Sequence, residues 1–597
     1  MKFFTPLKII FLLEFFVVFF ISIGILPREV ALFLTGILLF YLVFAPIDDS
    51  LIFLFASIPL FIALPITESF DSMASWRILV SAVFFVWVVR SLRGGALATT
   101  KQSRIIKGFS VICGIASSPF RFLAMTSRHS GKNWKELLLT SPLARFLILS
   151  FLFFSIGLLS LIRATDFTAG IKKILFLGNI FLFFILIVNI IRTRENILRV
   201  IKAAAVAGGI TVAVGFIQLI AVFKWPLYTF WQFWAANVSG TFYGKALANL
   251  LSYSNTWFSY YDAAPPTLRL FSIMPDSHSF AMMAILSAPL FLVLAFHYRS
   301  ERRKKNLSFF FLILSILAII LSGSRGAWLS IIFPLGILIL LLGLYKKPHR
   351  LYKEHFLNKC SSILKFSVNY FYNLFYKFKN NTYSAAALYV LQFKHSDRQI
   401  IKLTLFSIGL FFLMFIVSSF YPPILYKFQS LQENSTYVSE SLGFFERAKS
   451  ISDITEVSNK GRLEIWRKTI SSISEHPLLG VGIGNFPIVL GEDISSVKRG
   501  ASAHNLYLDI FSEMGIFGLL VFLLLIFEIL QTSWRVFKRN SDNLFKLFAL
   551  AFGVYAIWIF AYSFFDVTLF NDKVLMMFMV EVGILYAMDL IRVCEHN

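Results

Sequence analysis

Apolar runs long enough to cross a bilayer recur along the whole chain, separated by polar segments of very different lengths. We count about fourteen: 7–25, 30–46, 50–68, 77–91, 142–162, 172–191, 199–222, 279–297, 308–322, 327–345, 403–420, 514–530, 546–565 and 574–592. They predict an all-α polytopic membrane protein of about 14 transmembrane helices, with a large, partly helical outer loop near 421–511. The first run carries Glu14 and continues into "FFISIGILPREV", which lacks a small-residue cleavage site. It reads as a retained helix, not a signal peptide.

The polar segments set an orientation. With the N-terminus inside and the spans alternating, the basic stretch 92–141, the turn "HYRSERRKKN" at 297–306, the segment 346–402 and "SWRVFKRN" at 533–540 all fall inside. Segment 346–402 holds eleven Lys or Arg against two acidic residues. Segment 421–511 falls outside with nine basic and ten acidic residues, and 223–276 falls outside poor in charge. This is the asymmetry expected when basic loops stay in the cytoplasm. The chain thus divides into N-terminal helices (1–222), a central region (223–420), an outer loop (421–511) and C-terminal helices (512–597).

Composition changes the picture little. Apolar residues make up 57% and charged ones 15%, unlike a soluble domain with about a quarter charged. The net charge of +24 is accounted for by the inner loops, so no nucleic-acid partner is implied. Cys113, Cys360 and Cys594 show no metal-ligand spacing and all fall inside, and no metal site is expected. The stretch 361–393 mixes aromatics with lysines and suits the headgroup layer.

Three places concentrate chemistry, all on the outer side. "RLFSIMPDSHSFAMM" (269–283) offers Arg269, Asp276 and His278 where a loop runs into a span. "LSGSRGAWLS" (321–330) is a sharp turn that holds Arg325 at the membrane surface, against the usual inner bias of arginine. A guanidinium there can grip a phosphate with two parallel donors. "SAHNLYLDIFSEMG" (502–515) carries His504, then Asn505, Asp509 and Glu513 on one helical face. The acids suit a helix N-terminus, whereas the histidine suits proton transfer. Between these lies "GRLEIWRKTISSISEHPLLGVGIGNF" (461–486), an amphipathic helix with Arg462 near its start and Leu463, Trp466, Ile470 and Ile473 on one face. Its glycines are no dinucleotide fingerprint, since no strand–helix–strand context surrounds them.

Together "SGSRGAWLS", "GRLEIW…HPLLGVGIGNF" and "AHNLYLDIFSEMGIFGLL" resemble the O-antigen ligase family, over roughly residues 200–530. Fourteen spans exceed the twelve usual in the ligases. The resemblance implies a metal-independent, inverting glycosyltransferase of the bacterial cytoplasmic membrane with its site facing the periplasm. The donor would be a glycan on undecaprenyl diphosphate, the acceptor lipid A-core, and no cofactor is implied. By motif, Arg325 and Arg269 would bind the donor diphosphate and His504 would activate the acceptor hydroxyl, with Asp509 or Glu513 as orienting partners and Asn505, Arg462 and His278 in support. The same motifs fit a repeat-unit polymerase or a protein O-oligosaccharyltransferase. A transporter or flippase is the distant alternative, which Glu14, Glu528 and Glu581 inside spans keep open.

Overall fold

The computed structural model describes residues 5–66, 73–97, 141–252, 256–261, 264–337, 409, 457–490 and 502–595. Residues 98–140 of the expected inner segment 92–141, the inner segment 346–402, the span 403–420 apart from residue 409, and residues 421–456 and 491–501 of the loop 421–511 lie outside these residues. Residues 331–410 form a unit of their own, of which only 331–337 and 409 are described. All other described residues belong to the main unit.

Eight helices among the described residues are long and apolar enough to cross a membrane, and they coincide with eight of the predicted spans. They belong to α5 (Pro142–Ser160), α6 (Phe167–Ile190), α7 (Arg194–Val222), α8 (Ser277–His297), α9 (Arg302–Leu321), α12 (Leu506–Arg539), α13 (Asn543–Tyr562) and α14 (Asp572–Glu595). Before them come α1 (Pro6–Ser22), α2 (Val30–Phe44), α3 (Ile47–Ala56) and α4 (Ser75–Leu97); between them lie the short α10 (Arg325–Ser330) and α11 (Val457–Glu475). Helix α8 is the centre: every side chain from 279 to 295 is buried, as expected of a helix apolar all round.

The predicted span 50–68 is not one helix. Helix α3 stops at Ala56, a 3-10 turn follows at Ile58–Leu60, and the chain then runs extended to an isolated bridge between Ala63 and Ala74. Arg199 pairs with Asp49, and Asn196 Nδ2 donates to Asp48 Oδ2 at 3.2 Å. Ala63 N–H donates to the Thr241 carbonyl at 3.1 Å. A helix of ten residues, about 15 Å, is too short to cross a bilayer alone.

Helix α12 is also broken. Gly515 has φ 66 and ψ −170, a conformation reserved for glycine. The break leaves the Ser512 and Glu513 carbonyls without helical partners, and the loop after α11 supplies them. Val481 N–H donates to Ser512 O at 2.9 Å and Gly482 N–H to Glu513 O at 3.0 Å, while Ile516 N–H donates to Pro477 O at 2.9 Å. Glycines permit this approach: a Cβ on Gly480 would meet Ser512 O at 2.4 Å, and one on Gly482 would meet Ala164 Cα at 2.7 Å. The glycine run therefore serves backbone packing, in keeping with its rejection as a nucleotide fingerprint.

Helix α11 coincides with the start of the predicted amphipathic segment; Leu463 and Ile470 are exposed on it, and Thr469 is buried. A two-stranded hairpin, Phe258–Tyr261 with Ala264–Leu268, precedes α8.

Gly515→Ala is expected to cost more than about 3 kcal/mol, since its Cβ would sit 2.0 Å from Leu478 O. Gly36→Ala, with nothing within 4 Å, is the control and should leave thermal unfolding in detergent unchanged.

Candidate functional site

One end of the bundle gathers the polar residues. The segment before α8 is fixed first. Gln218 Oε1 accepts the N–H groups of Phe271 and Ser272 at 3.1 and 2.8 Å, and Trp257 stacks on Phe271 with ring centroids 4.3 Å apart. Leu270 N–H donates to the Leu321 carbonyl at 3.1 Å, laying this segment along the end of α9. Arg269 consequently reaches across the 321–324 turn, and its Nε donates to Ser322 O at 3.0 Å. Gly323, at φ 65, makes room: a Cβ there would stand 3.1 Å from that Nε.

Asp276 caps α8, accepting from Ser279 N–H at 2.7 Å and Ser279 Oγ at 2.8 Å. Two residues on, His278 is the hub. Its Nδ1 lies 2.9 Å from Ser324 Oγ, 3.1 Å from the Tyr562 hydroxyl and 3.9 Å from Asp566 Oδ2. Ser324 and Tyr562 are 2.6 Å apart. On the other face of the ring, Nε2 is 3.5 Å from a terminal nitrogen of Arg269. The charge of Arg462, on α11, also bears on His278.

His504 approaches from the start of α12. Its side chain is 42% exposed, while its enclosed Nδ1 faces Asp566 Oδ1 at 4.0 Å. Asp566 thus stands between two histidines. His504 adopts φ 47, a left-handed conformation that costs a non-glycine residue on the order of 1–3 kcal/mol. Asn505 follows as the N-cap, its Oδ1 accepting from Tyr507 N–H at 3.0 Å and Leu508 N–H at 3.2 Å. Arg325, half-buried, opens α10 beside this cluster. The next residue, Gly326, packs so closely that a Cβ would meet Phe565 Cβ at 2.7 Å and the Tyr562 ring at 3.0 Å.

The structure therefore brings Arg269, His278 and His504 together, with Arg325 and Arg462 adjoining. Asp509 and Glu513 turn elsewhere. Lys173 Nζ lies 2.5 Å from Glu513 Oε2 and 3.8 Å from Asp509 Oδ2, and the carboxylate facing the His504 ring is Asp566. Sequence reasoning missed Asp566, Tyr562, Ser324 and Lys173. The signal for the first two was "YSFFDVTLFND" (562–572), where hydroxyls and acids follow the end of a span.

An imidazole beside a carboxylate is suited to taking a proton from a hydroxyl, and the neighbouring guanidinium groups can offer charge to an anion. The comparison with known proteins fits that chemistry. Residues 310–523 match the O-antigen ligase family. The same segment carries the motifs that gave the sequence its resemblance. A Rickettsia conorii protein provisionally named a polysaccharide ligase is 25% identical over 169 residues. That alignment takes in 24% of this chain, and the chain spans 40% of the relative's length. The ligase-family segment supplies Ser324, Arg325, Arg462 and His504, whereas Arg269, His278, Tyr562 and Asp566 lie outside it. The site is completed by both flanks of the ligase-family segment.

Burial, and then the Asp566 charge, push the Asp276 carboxyl up to about 6. The folded state then holds a proton that the unfolded chain loses near pH 4, so this group's contribution to stability falls as pH rises from about 4 to about 6. Asp276→Asn keeps a cap and removes the titration. Wild type should lose on the order of 2 kcal/mol relative to that variant across this window, read as a difference in detergent melting temperature.

Proposed function

We propose that this chain is a membrane glycosyltransferase that moves a glycan from an undecaprenyl-diphosphate carrier to an acceptor hydroxyl. The observation that carries the reading is the meeting of His504, Asp566, His278 and Arg269 at one end of a membrane-spanning bundle, inside and beside the ligase-family segment. His504 takes the proton of the acceptor hydroxyl, and Asp566 stabilises the imidazolium that forms. The acceptor oxygen bonds to the anomeric carbon from the face opposite the diphosphate. The glycosidic bond breaks with its electron pair on the diphosphate, and Arg325 and Arg269 stabilise that charge. A single displacement of this kind inverts the anomeric centre. A lipid diphosphate is already a good leaving group, so guanidinium charge takes the part that a metal plays elsewhere, and no cofactor is called for.

The orientation follows from charge. The basic turns at 297–306 and 533–540 belong to the end opposite the site: Lys202 lies under the Tyr298 ring, and Arg194 pairs with Asp542. Basic ends tend to stay cytoplasmic, which supports a site at the periplasmic face of a bacterial inner membrane. In this reading the segment 421–511 lies on the same outer side as the site. Lipid A-core is the acceptor we favour; a growing polysaccharide or a protein hydroxyl would use the same site.

The reading is tested by transfer in vitro from a polyprenyl-diphosphate glycan to lipid A-core. His504→Ala should lose 10²-fold or more of kcat, on the order typical of a general base, and Arg325→Ala a comparable amount. Asp566→Asn should lower kcat with little change in donor KM. Excess chelator should leave the wild-type rate intact. Full transfer by the His504 and Arg325 variants would refute the mechanism.

A further inference from the structure

We propose that Lys173, on α6, is a positioning residue for His504, acting through Asp509 and the backbone of Ala503. The inference rests on the function just proposed and extends it to a residue outside the ligase-family segment. Lys173 lies near the site end of α6 and bridges two carboxylates one turn apart on α12. Asp509 and Glu513 are buried, at 5% and 3% exposure. Two such carboxylates repel and resist desolvation, so without a cation one must take up a proton or swing towards water. Lys173 keeps both in place.

What Asp509 then holds is the backbone beside the proposed base. Its Oδ2 faces Lys173, and its Oδ1 accepts the Ala503 N–H at 3.1 Å. The Ala503 carbonyl accepts the Trp466 indole N–H at 2.8 Å, which ties the same residue to α11. Ala503 is fully buried, gripped from both sides, and directly precedes His504 with its left-handed backbone. On the far side, Leu506 N–H donates to Ser563 O at 2.8 Å, three residues before Asp566. The strained residue is therefore clamped before and after. Of the two clamps, the first depends on an ion cluster whose only base is Lys173 among the described residues. An ordinary helix start needs the Asn505 cap and nothing more; the Lys173–Asp509–Ala503 chain adds a fixed aim for one imidazole.

The full-length purified protein serves for the test, with the same transfer assay. Lys173→Ala should lower kcat by about 10- to 100-fold, the scale of a misplaced catalytic group, with donor KM changed by less than about twofold. Lys173→Arg, which keeps the cation, should restore most of that loss. Trp466→Phe keeps the ring and removes the indole donor. It should give a smaller fall of the same kind, and it carries the test should Lys173→Ala fail to fold. Wild-type kcat in Lys173→Ala or in Trp466→Phe would overturn the proposal, as would a loss confined to KM. Full transfer by His504→Ala would instead sink the functional reading beneath it. An inactive His504→Ala beside fully active Lys173 and Trp466 variants would sink this inference alone.

Discussion

The arrangement of the site depends on two backbone hydrogen bonds at the break in α12, where Val481 and Gly482 donate to the freed carbonyls of Ser512 and Glu513. A continuous helix would keep those carbonyls for its own amides and offer the loop nothing. Gly515 opens the helix, and the glycines of "GVGIG" let a second backbone come close enough to satisfy what the break exposes. The same loop reaches the turn between α5 and α6. Ile483 N–H donates to Ser160 Oγ at 3.0 Å, and the Asn485 side chain exchanges bonds with the Asp166 backbone at 2.7 and 3.1 Å. One short segment thus sews α11 to α5, α6 and α12. Its partners are all backbone or small polar groups, so it sets position without adding charge to the site.

How much of this was legible varied with the range of the interaction. The eight long spans were visible because each is apolar enough on its own account and its length is set by the bilayer. His504, Arg325 and Arg269 could be singled out because each sits in a local pattern that runs against its surroundings. The failures differ in cause. Helix α3 ends early at Ser57, two residues before Pro59, a local break that hydropathy averaging passes over, and Ser57 there bonds the buried carboxyl of Glu14, 43 residues away. Asp566 and Lys173 gain their meaning only from His504 and Asp509, distant in the sequence, and alone they read as ordinary residues near helix ends. Periodicity found the helix at α11 and its apolar stripe but not what the stripe faces: Leu463 and Ile470 are exposed, and an apolar stripe beside a bilayer need not point to the protein core.

The charge pattern of the site gives the proposed reaction a further constraint. The charges of Arg269 and Arg462 act where Asp566 and Asp276 are the nearby acids, and Arg325 follows Ser324 in the same turn. A purely cationic cradle at the edge of a low-dielectric bundle would repel itself when empty and hold a diphosphate too firmly once transfer had freed it. Asp566 moderates both. It balances the cations when the site is empty, and it also faces the two histidines. An arriving dianion meets cations already partly compensated, so its binding is weaker than the number of guanidinium groups suggests. The charge that grows on the diphosphate as the sugar bond breaks is then what the arginines are best placed to stabilise. Binding strength given up in the ground state and recovered as charge develops is the condition for turning affinity into rate. In the proposed reaction, one acid between two imidazoles with Arg269 beside one of them would serve that condition.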